Sequence, residues 1–567
     1  MKLVFLIISF LCCYHIQAQN LVIKNVNVVD VENGKILSGK DVTIADGMIQ
    51  SIEKSKRKIT ADHIDGTNKY LIPGLIDAHM HLFQSGGLYT RPDAINLQHI
   101  VPYNTERQWL YEKTEDILRR YLSQGITSVI DIGGPMYNLA YKDSINQMSN
   151  TAHTYLTGPL VSTYLPKELD VEYPPIVKAT DAAMAKEFVN NQMEFNPDFI
   201  KIWFVILKQQ DALDYRPIIK AAIEEAKRHH KPVAVHAKEL ITAKIALELG
   251  ADYLVHSVSD VEIDEEFIEL LKSSNAVYCP TMQVSSNTDK VFYGDYDATS
   301  LDYKIALPKA LGSLMDIRHI NDSRDLEYYQ ANKTDILSRQ KKSDTIAKIN
   351  LKRINDSGIP IALGTDAGNI GTMHASSYFR EIELMKSAGM SDVDILKSAT
   401  INAAKAIRKQ LEIGSVDTQK KADLLILNHN PLIDIGHLKD IDLIIKDGIL
   451  IDQSSLIIPT SEDIVQRQLN AYNGHDLDAF MELYAEDVKI YNFPNELVLE
   501  GKDMMRQSYK FLEDTPAMHC ELLNRTVLGQ TVIDHERVTF DIDKPPSDVI
   551  AIFKIKEDKI STVHFIR

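Results

Sequence analysis

The chain has 567 residues, a formal net charge of −17, and a composition that is 44% hydrophobic and 25% charged. That length predicts two or three folding units, and the balance is that of a soluble globular protein. The acidic excess argues against nucleic acid and anionic membrane surfaces as partners, but it does not choose a substrate.

The chain opens MKLVFLIISFLCCYHIQAQN, which reads as an export signal. Lys2 is a one-charge n-region, residues 3–13 are an apolar stretch too short to span a bilayer, and Ile16-Gln17-Ala18 resembles a signal-peptidase site. Residues 1–18 are therefore expected to be a signal peptide, and the mature protein to be bacterial and exported, periplasmic or secreted. Cys12 and Cys13 raise a lipoprotein alternative, disfavoured because Ser9, Phe10 and Leu11 lack the small residue wanted before a lipidated cysteine. Cleavage leaves Cys279 and Cys520, and no disulfide is expected. No later stretch is apolar enough for a transmembrane helix, so no membrane insertion is expected after cleavage.

Residues 21–70 alternate short β-type runs with turns, and the same style returns at 423–452. A discontinuous β-sandwich domain is expected over 19–73 and 415–457, with a larger unit, 74–414, inserted into it. That unit alternates strand-like runs with helical pattern. The runs are GLIDAHMHL (74–82), ITSVIDIGG (126–134), AHTYLTGP (152–159), DFIKIWF (198–204), PVAVHA (232–237), DYLVHS (252–257), AVYCPTM (276–282) and IPIALGTDAG (359–368). Eight β–α alternations predict an α/β fold of (β/α)8 TIM-barrel type, and no glycine-rich phosphate turn supports a doubly wound sheet instead. The segment 283–345 is charged and helical in pattern, and reads as an elaborated helix more than as a lid. From 460 the style changes to two amphipathic helices followed, over 515–567, by alternating strands: a separate α+β unit.

His79 and His81 stand one residue apart in an oily run, so on a strand both imidazoles face one side. That pair is either two satisfied core histidines or half of a metal site. Lys201 on the fourth run, His236 and His256 ending the fifth and sixth, and Asp366 ending the eighth decide between these readings. In a barrel of this type the C-terminal strand ends converge on one mouth. Four histidines and an aspartate there form a metal clamp, and imidazole with carboxylate suits zinc and related divalent ions.

H-x-H on the first strand, single histidines on the fifth and sixth, and the Asp of GTDAG resemble the amidohydrolase superfamily. DFIKIW, GADYLVHS, VYCPTM and SATINAAKAI with KKADLLILNHNPLIDI are similar, within it, to imidazolonepropionase-like and prolidase-like hydrolases. The resemblance covers residues 20–455; Ser257 after His256 and the turn VDTQKKADL depart from the usual pattern. It implies two divalent cations, Zn2+ foremost. His79, His81 and Asp366 would hold the more buried one, His236 and His256 the more exposed one, and Lys201, carbamylated by CO2, would bridge them. It further implies a metal-bound hydroxide as nucleophile, with Asp366 as the catalytic proton shuttle. His374 is a candidate for facing the substrate, with a structural role as its alternative; Glu239 reads as a surface or orienting residue.

The tail, AYNGHDLDAFMELYAEDVKIYNFP with VLEGKDMMRQ, resembles SnoaL-like members of the NTF2-like cone fold, giving a domain over 460–567. Asp487 and His519 are candidate pocket residues there, structural roles being favoured. The chain is thus expected to hydrolyse a small-molecule amide, a dipeptide or N-acyl amino acid. A cyclic-amide hydrolase and a non-catalytic binder using the tail pocket are the alternatives. Loops 84–108 and 160–177 are expected to set specificity, and a homo-oligomer is left open.

Overall fold

The computed structural model describes residues 21–56, 63–148, 150–320, 323–515, 517–541 and 543–567. The expected signal peptide, with Cys12 and Cys13, lies outside the described residues. Among those described, no helix is long and apolar enough to cross a membrane, and Cys279 and Cys520 are both free and buried.

The central unit is the expected α/β barrel. Its strands Leu75–Met80, Ile126–Asp131 and His153–Leu156 pair in parallel, as do Ile200–Trp203, Val233–His236, Tyr253–Val255 and Val277–Cys279. Strands such as ITSVID are buried at every position, because a parallel strand covered on both faces needs no polar side. Amphipathic helices such as Ala182–Met193 and Arg216–Arg228 wrap the ring.

Two strands depart from the expected pattern. The third is broken at Thr157-Gly158-Pro159: its first half pairs with the second strand, while Leu160–Ser162 pairs with the fourth. The eighth, expected over 359–368, is reduced to isolated bridges at Ile361 and Ala367. Pro360 has no N–H to give a ladder, and the backbone of Asp366 turns left-handed, with φ 59°. The ring still closes. Tyr278 N donates to Pro360 O at 3.0 Å and Ala362 N to Tyr278 O at 2.8 Å, while Ala78 N reaches Leu363 O at 2.8 Å. Gly364 sits at this seam because a Cβ there would come within 2.6 Å of both Cys279 Sγ and the His79 Cβ.

Strands from both flanks of the barrel, Leu21–Asp30 through Tyr70–Pro73 and Leu424–Leu427 through Ile449–Ile451, join in one eight-stranded sheet. Tyr70–Pro73 pairs with Leu424–Leu427, so segments some 350 residues apart in the chain are adjacent in the ladder. A buried cluster that includes Ile23, Val26, Val42, Leu71, Leu424 and Ile445 forms its core.

The tail is a six-stranded sheet with helices packed on it. Sequence pattern missed two of its strands, Tyr484–Asn492 and Glu496–Glu500, the first lying inside the stretch read as helical. Its leading helix, Ser461–Asn473, starts in a Thr460/Asp463 capping box and packs on Pro308–Met315 of the barrel insertion. Asn470 Nδ2 donates to Pro308 O at 2.7 Å across that contact.

Candidate metal centre and active site

His79, His81, Lys201, His236, His256 and Asp366 line a single cavity at the C-terminal end of the barrel strands. The first strand ends at Met80, so His81 is presented by the turn that follows it, and the Gly133 carbonyl fixes its ring. His81 Nδ1 lies 3.1 Å from Gly133 O. A carbonyl only accepts, so Nδ1 carries the proton and the Nε2 lone pair faces the cavity. The Nε2 atoms of His79 and His81 lie 3.1 and 3.2 Å from Asp366 Oδ1. The ring of His256 is 4.9 Å from that of His79 and 4.3 Å from that of His236, centre to centre.

The site fits divalent cations on the evidence of its own unpartnered atoms. His79 Nδ1 and Lys201 Nζ have no hydrogen-bond partner among the described residues, although both side chains are buried, and His79 Nε2 meets Asp366 Oδ1 alone. Buried polar groups are ordinarily paired, and one nitrogen or oxygen each from His79, His256 and Asp366 falls within 4.8 Å of the others. Burial lowers the pKa of Lys201 to about 7, opposed by Asp366. It lowers His79 to about 4 and holds His236 and His256 well below the usual imidazole value, so the rings are neutral donors at neutral pH. Burial also opposes ionisation of Asp366, but His79, His81 and His256 outweigh it and hold that carboxyl well below its usual range.

Supporting residues that sequence pattern did not single out surround this core. Asn369 Nδ2 donates to Asp366 Oδ1 at 2.8 Å and to Asp366 O at 3.2 Å, holding the left-handed turn. Arg91 donates to Asn369 Oδ1 and grips Asp93 through two bonds of 2.7 and 2.6 Å. Asp77, two residues before His79, accepts from His79 N at 3.2 Å and from Thr365 N and Oγ1 at 3.1 and 2.7 Å, tying the first strand to the eighth. On the far side, Thr281 Oγ1 lies 2.9 Å from His256 Nδ1. Glu381 accepts from Met282 N at 2.7 Å and Gln283 Nε2 at 3.2 Å, fixing the turn that carries Thr281. His256 and Thr281, like Asp366, are non-glycine residues at positive φ, the kind of local strain that gathers at functional sites. The only sequence signal for these partners was proximity to a ligand, as with Asp77 and Asn369.

Other expected candidates fall elsewhere. His374 is corrected to a structural position: it does not line the cavity and is only 2% exposed. Its Nε2 donates to Gln84 O at 2.7 Å, leaving Nδ1 to accept from Tyr121 Oη at 3.2 Å. Glu239 begins the helix Leu240–Leu249 and accepts from Thr242 Oγ1 at 3.1 Å. In the tail, Asp487 is exposed, whereas His519 stacks on His319 of the barrel insertion at 3.8 Å and lies 3.3 Å from Asp316 Oδ1. The insertion itself does more than elaborate a helix, since Val284, Ser285, Thr288 and Gln340 wall the mouth beside His236 and His256.

A second histidine–carboxylate group, His153, Asp423 and Asp447, joins the third barrel strand to the β-domain. Lys446 Nζ lies 2.5 Å from Asp447 Oδ2 and 3.5 Å from Asp423 Oδ1, and Lys421 Nζ 3.5 Å from His153 Nε2. Those ammonium groups already supply the positive charge, and the cluster is an ion-pair lock.

Barrel, seam and polar cluster together define a (β/α)8 barrel with a histidine-rich site at its mouth, and comparison with known proteins gives the family. The model described as Amidohydrolase family matches residues 70–452, and that described as SnoaL-like domain matches 465–563. The chain belongs to the amidohydrolase family, as a hydrolase acting on carbon–nitrogen bonds, with a C-terminal SnoaL-like domain. Imidazolonepropionase of Fusobacterium nucleatum subsp. nucleatum is 25% identical over 439 residues, spanning 71% of this chain and 87% of that protein. Among solved structures, a Xaa-Pro dipeptidase with bound methionine superposes with TM-score 0.58 at 20% identity, over 76% of this chain and 100% of that one. Ochratoxinase of A. niger superposes with TM-score 0.58 at 19% identity, over 77% and 97% of the two chains.

Proposed function

We propose that the protein hydrolyses the amide bond of dipeptides or N-acyl amino acids, using two divalent cations, Zn2+ foremost. His79, His81 and Asp366 would hold one, His236 and His256 the other, with Lys201 as a carbamate between them. The observation that carries this reading is Lys201: an unpartnered amine walled by four imidazoles and one carboxylate. Its lowered pKa of about 7 leaves much of it as free amine near neutrality. A free amine adds to CO2 and releases one proton, converting the neutral side chain into an anion suited to cations on both sides. Bound divalent ions would polarise the substrate carbonyl and acidify the attacking water.

The chain's own groups do the rest. Asp366, kept ionised and oriented by Asn369, takes the proton of the attacking water and delivers it to the leaving nitrogen. Gly133 holds the His81 tautomer, and Thr281 orients His256. Similarity to imidazolonepropionase supports a second reading, opening of a cyclic amide.

The test is turnover of metal-loaded protein against dipeptides, N-acyl amino acids and lactams, with and without chelator. Asp366→Asn should lower turnover of the best substrate by about 10²–10⁴-fold. Turnover that survives both chelation and Asp366→Asn would defeat the reading. Export, expected from residues 1–18, is tested separately by N-terminal sequencing of secreted protein, where a retained Met1 would contradict it.

A further inference from the structure

The cavity at the barrel mouth has two lobes that meet at Arg91, His236, His256, Asp366 and Asn369, and the inner one holds the candidate metal ligands. The inner lobe, about 130 Å³, is walled on its far side by Phe83, Leu160, Leu169, Ile176 and Trp203. Three of these, Leu160, Leu169 and Ile176, come from the second half of the broken third strand and the segment that follows it. The outer lobe, about 290 Å³, is mixed in lining, and Lys238, Ser285, Thr288 and Asp289 supply its polar side chains beyond the waist, with Gln340. A group bound across the waist therefore has an apolar wall within reach beyond the candidate metal ligands and Lys238 within reach on the outer side.

Two cations border that outer lobe, and they differ. Arg91 is committed: three of its nitrogens are engaged by Asp93 and Asn369. Lys238 is not. Its Nζ has one weak contact, 3.4 Å to Ser285 Oγ, and no carboxylate lies within 4.0 Å of it among the described residues. Asp289 and Asp344 face it from the insertion at longer range. Lys238 follows His236 by two residues and lines the outer lobe together with His236, His256 and Asp366 of the candidate metal site.

We propose that Lys238, with Ser285 beside it, is the anion anchor of the outer lobe. It reads the free carboxylate of an amide substrate whose apolar group fills the inner lobe. This rests on the amide-hydrolase reading above and narrows it. The scissile bond lies at the waist, one side of the substrate is apolar and the other carries a carboxylate. N-acyl amino acids meet that description, as do dipeptides with an apolar N-terminal side chain apart from their α-amino group; neutral lactams and N-acyl amines do not. A charge-assisted hydrogen bond from an ammonium shielded by the insertion helices discriminates strongly between a carboxylate and its neutral amide, which offers no countercharge.

The experiment uses the full, metal-loaded chain with matched probes: N-isovaleryl-L-alanine, N-phenylacetyl-glycine and leucyl-proline, each against its C-terminal amide. The acids should exceed the amides in kcat/KM by about 10-fold or more, and Lys238→Met should raise KM for the acids by about 10- to 100-fold with little change in kcat. Binding is read separately by calorimetry with N-isovaleryl-L-alanine, which should weaken by the same factor in Lys238→Met, while its amide shows no such change. Equal binding of the acid by both proteins, or equal KM values, overturns the anchor. No turnover of any probe, with the difference in binding intact, would instead remove the hydrolase reading and leave the anchor standing.

Discussion

Asn369 offers the sharpest test of how the carboxylate of the candidate metal site is held. Its amide makes two bonds to Asp366, 2.8 Å to the side-chain Oδ1 and 3.2 Å to the main-chain carbonyl, in a turn where Asp366 has φ 59°. Asn369→Ala removes both and leaves Arg91 Nη1 without the oxygen it now reaches. A hydrogen bond to a charged group contributes about 1.5–3 kcal/mol, and loss of a residue behind a metal ligand typically costs about 10- to 100-fold in affinity. Metal affinity is therefore expected to weaken about 10- to 100-fold, measured by competition with a coloured chelator, while circular dichroism stays that of the parent. Asn369→Asp is the companion variant. It keeps the size and the oxygen for Arg91, but turns a donor facing Asp366 Oδ1 into a second carboxylate, so it should weaken metal at least as much. A folded Asn369→Ala protein with unchanged affinity would show that the strand ends alone orient Asp366.

Lys201→Ala should lose at least one of two metal ions and most activity, and short carboxylic acids such as acetate or propionate should restore part of both; two ions retained with full activity would refute the bridge. Lys446→Met removes a fully buried ammonium from between Asp423 and Asp447, and should lower stability in urea by about 3–5 kcal/mol; an unshifted midpoint would contradict the ion-pair lock. His374 concerns pH. Burial lowers its pKa from 6.5 to about 4, so the unfolded chain takes a proton between those values that the folded one refuses. Its contribution to stability is therefore complete above about pH 6.5 and declines as pH falls toward 4, by up to about 3 kcal/mol, at 1.36 kcal/mol per unit over some 2.5 units. His374→Gln should flatten the fall in unfolding midpoint over that range, and an unchanged slope would mean the ring is already charged in the fold.

Sequence alone was enough for the barrel, because parallel strands buried on both faces leave continuous apolar runs that end in polar residues at one mouth. It named His79, His81, Lys201, His236, His256 and Asp366, which line the cavity together, for the same reason: an imidazole, lysine or carboxylate ending an oily strand is conspicuous one residue at a time. Tertiary structure decided whatever depended on distant partners. That the eighth strand would be only a seam followed from Pro360 and the turn at Asp366 meeting both neighbours, and the break in the third appeared only once its halves paired with different strands. Tyr484–Asn492 hid within a helical pattern because its alternation begins where an amphipathic run ends. Sequence left His374 between a substrate contact and a structural role until Gln84 and Tyr121 occupied both its nitrogens, and it singled out neither Arg91 nor Lys238. Their difference, one paired with Asp93 and the other facing the cavity without a nearby carboxylate, is a fact of distance. Periodicity encodes which face of an element is buried, but not which charge another element brings to meet it.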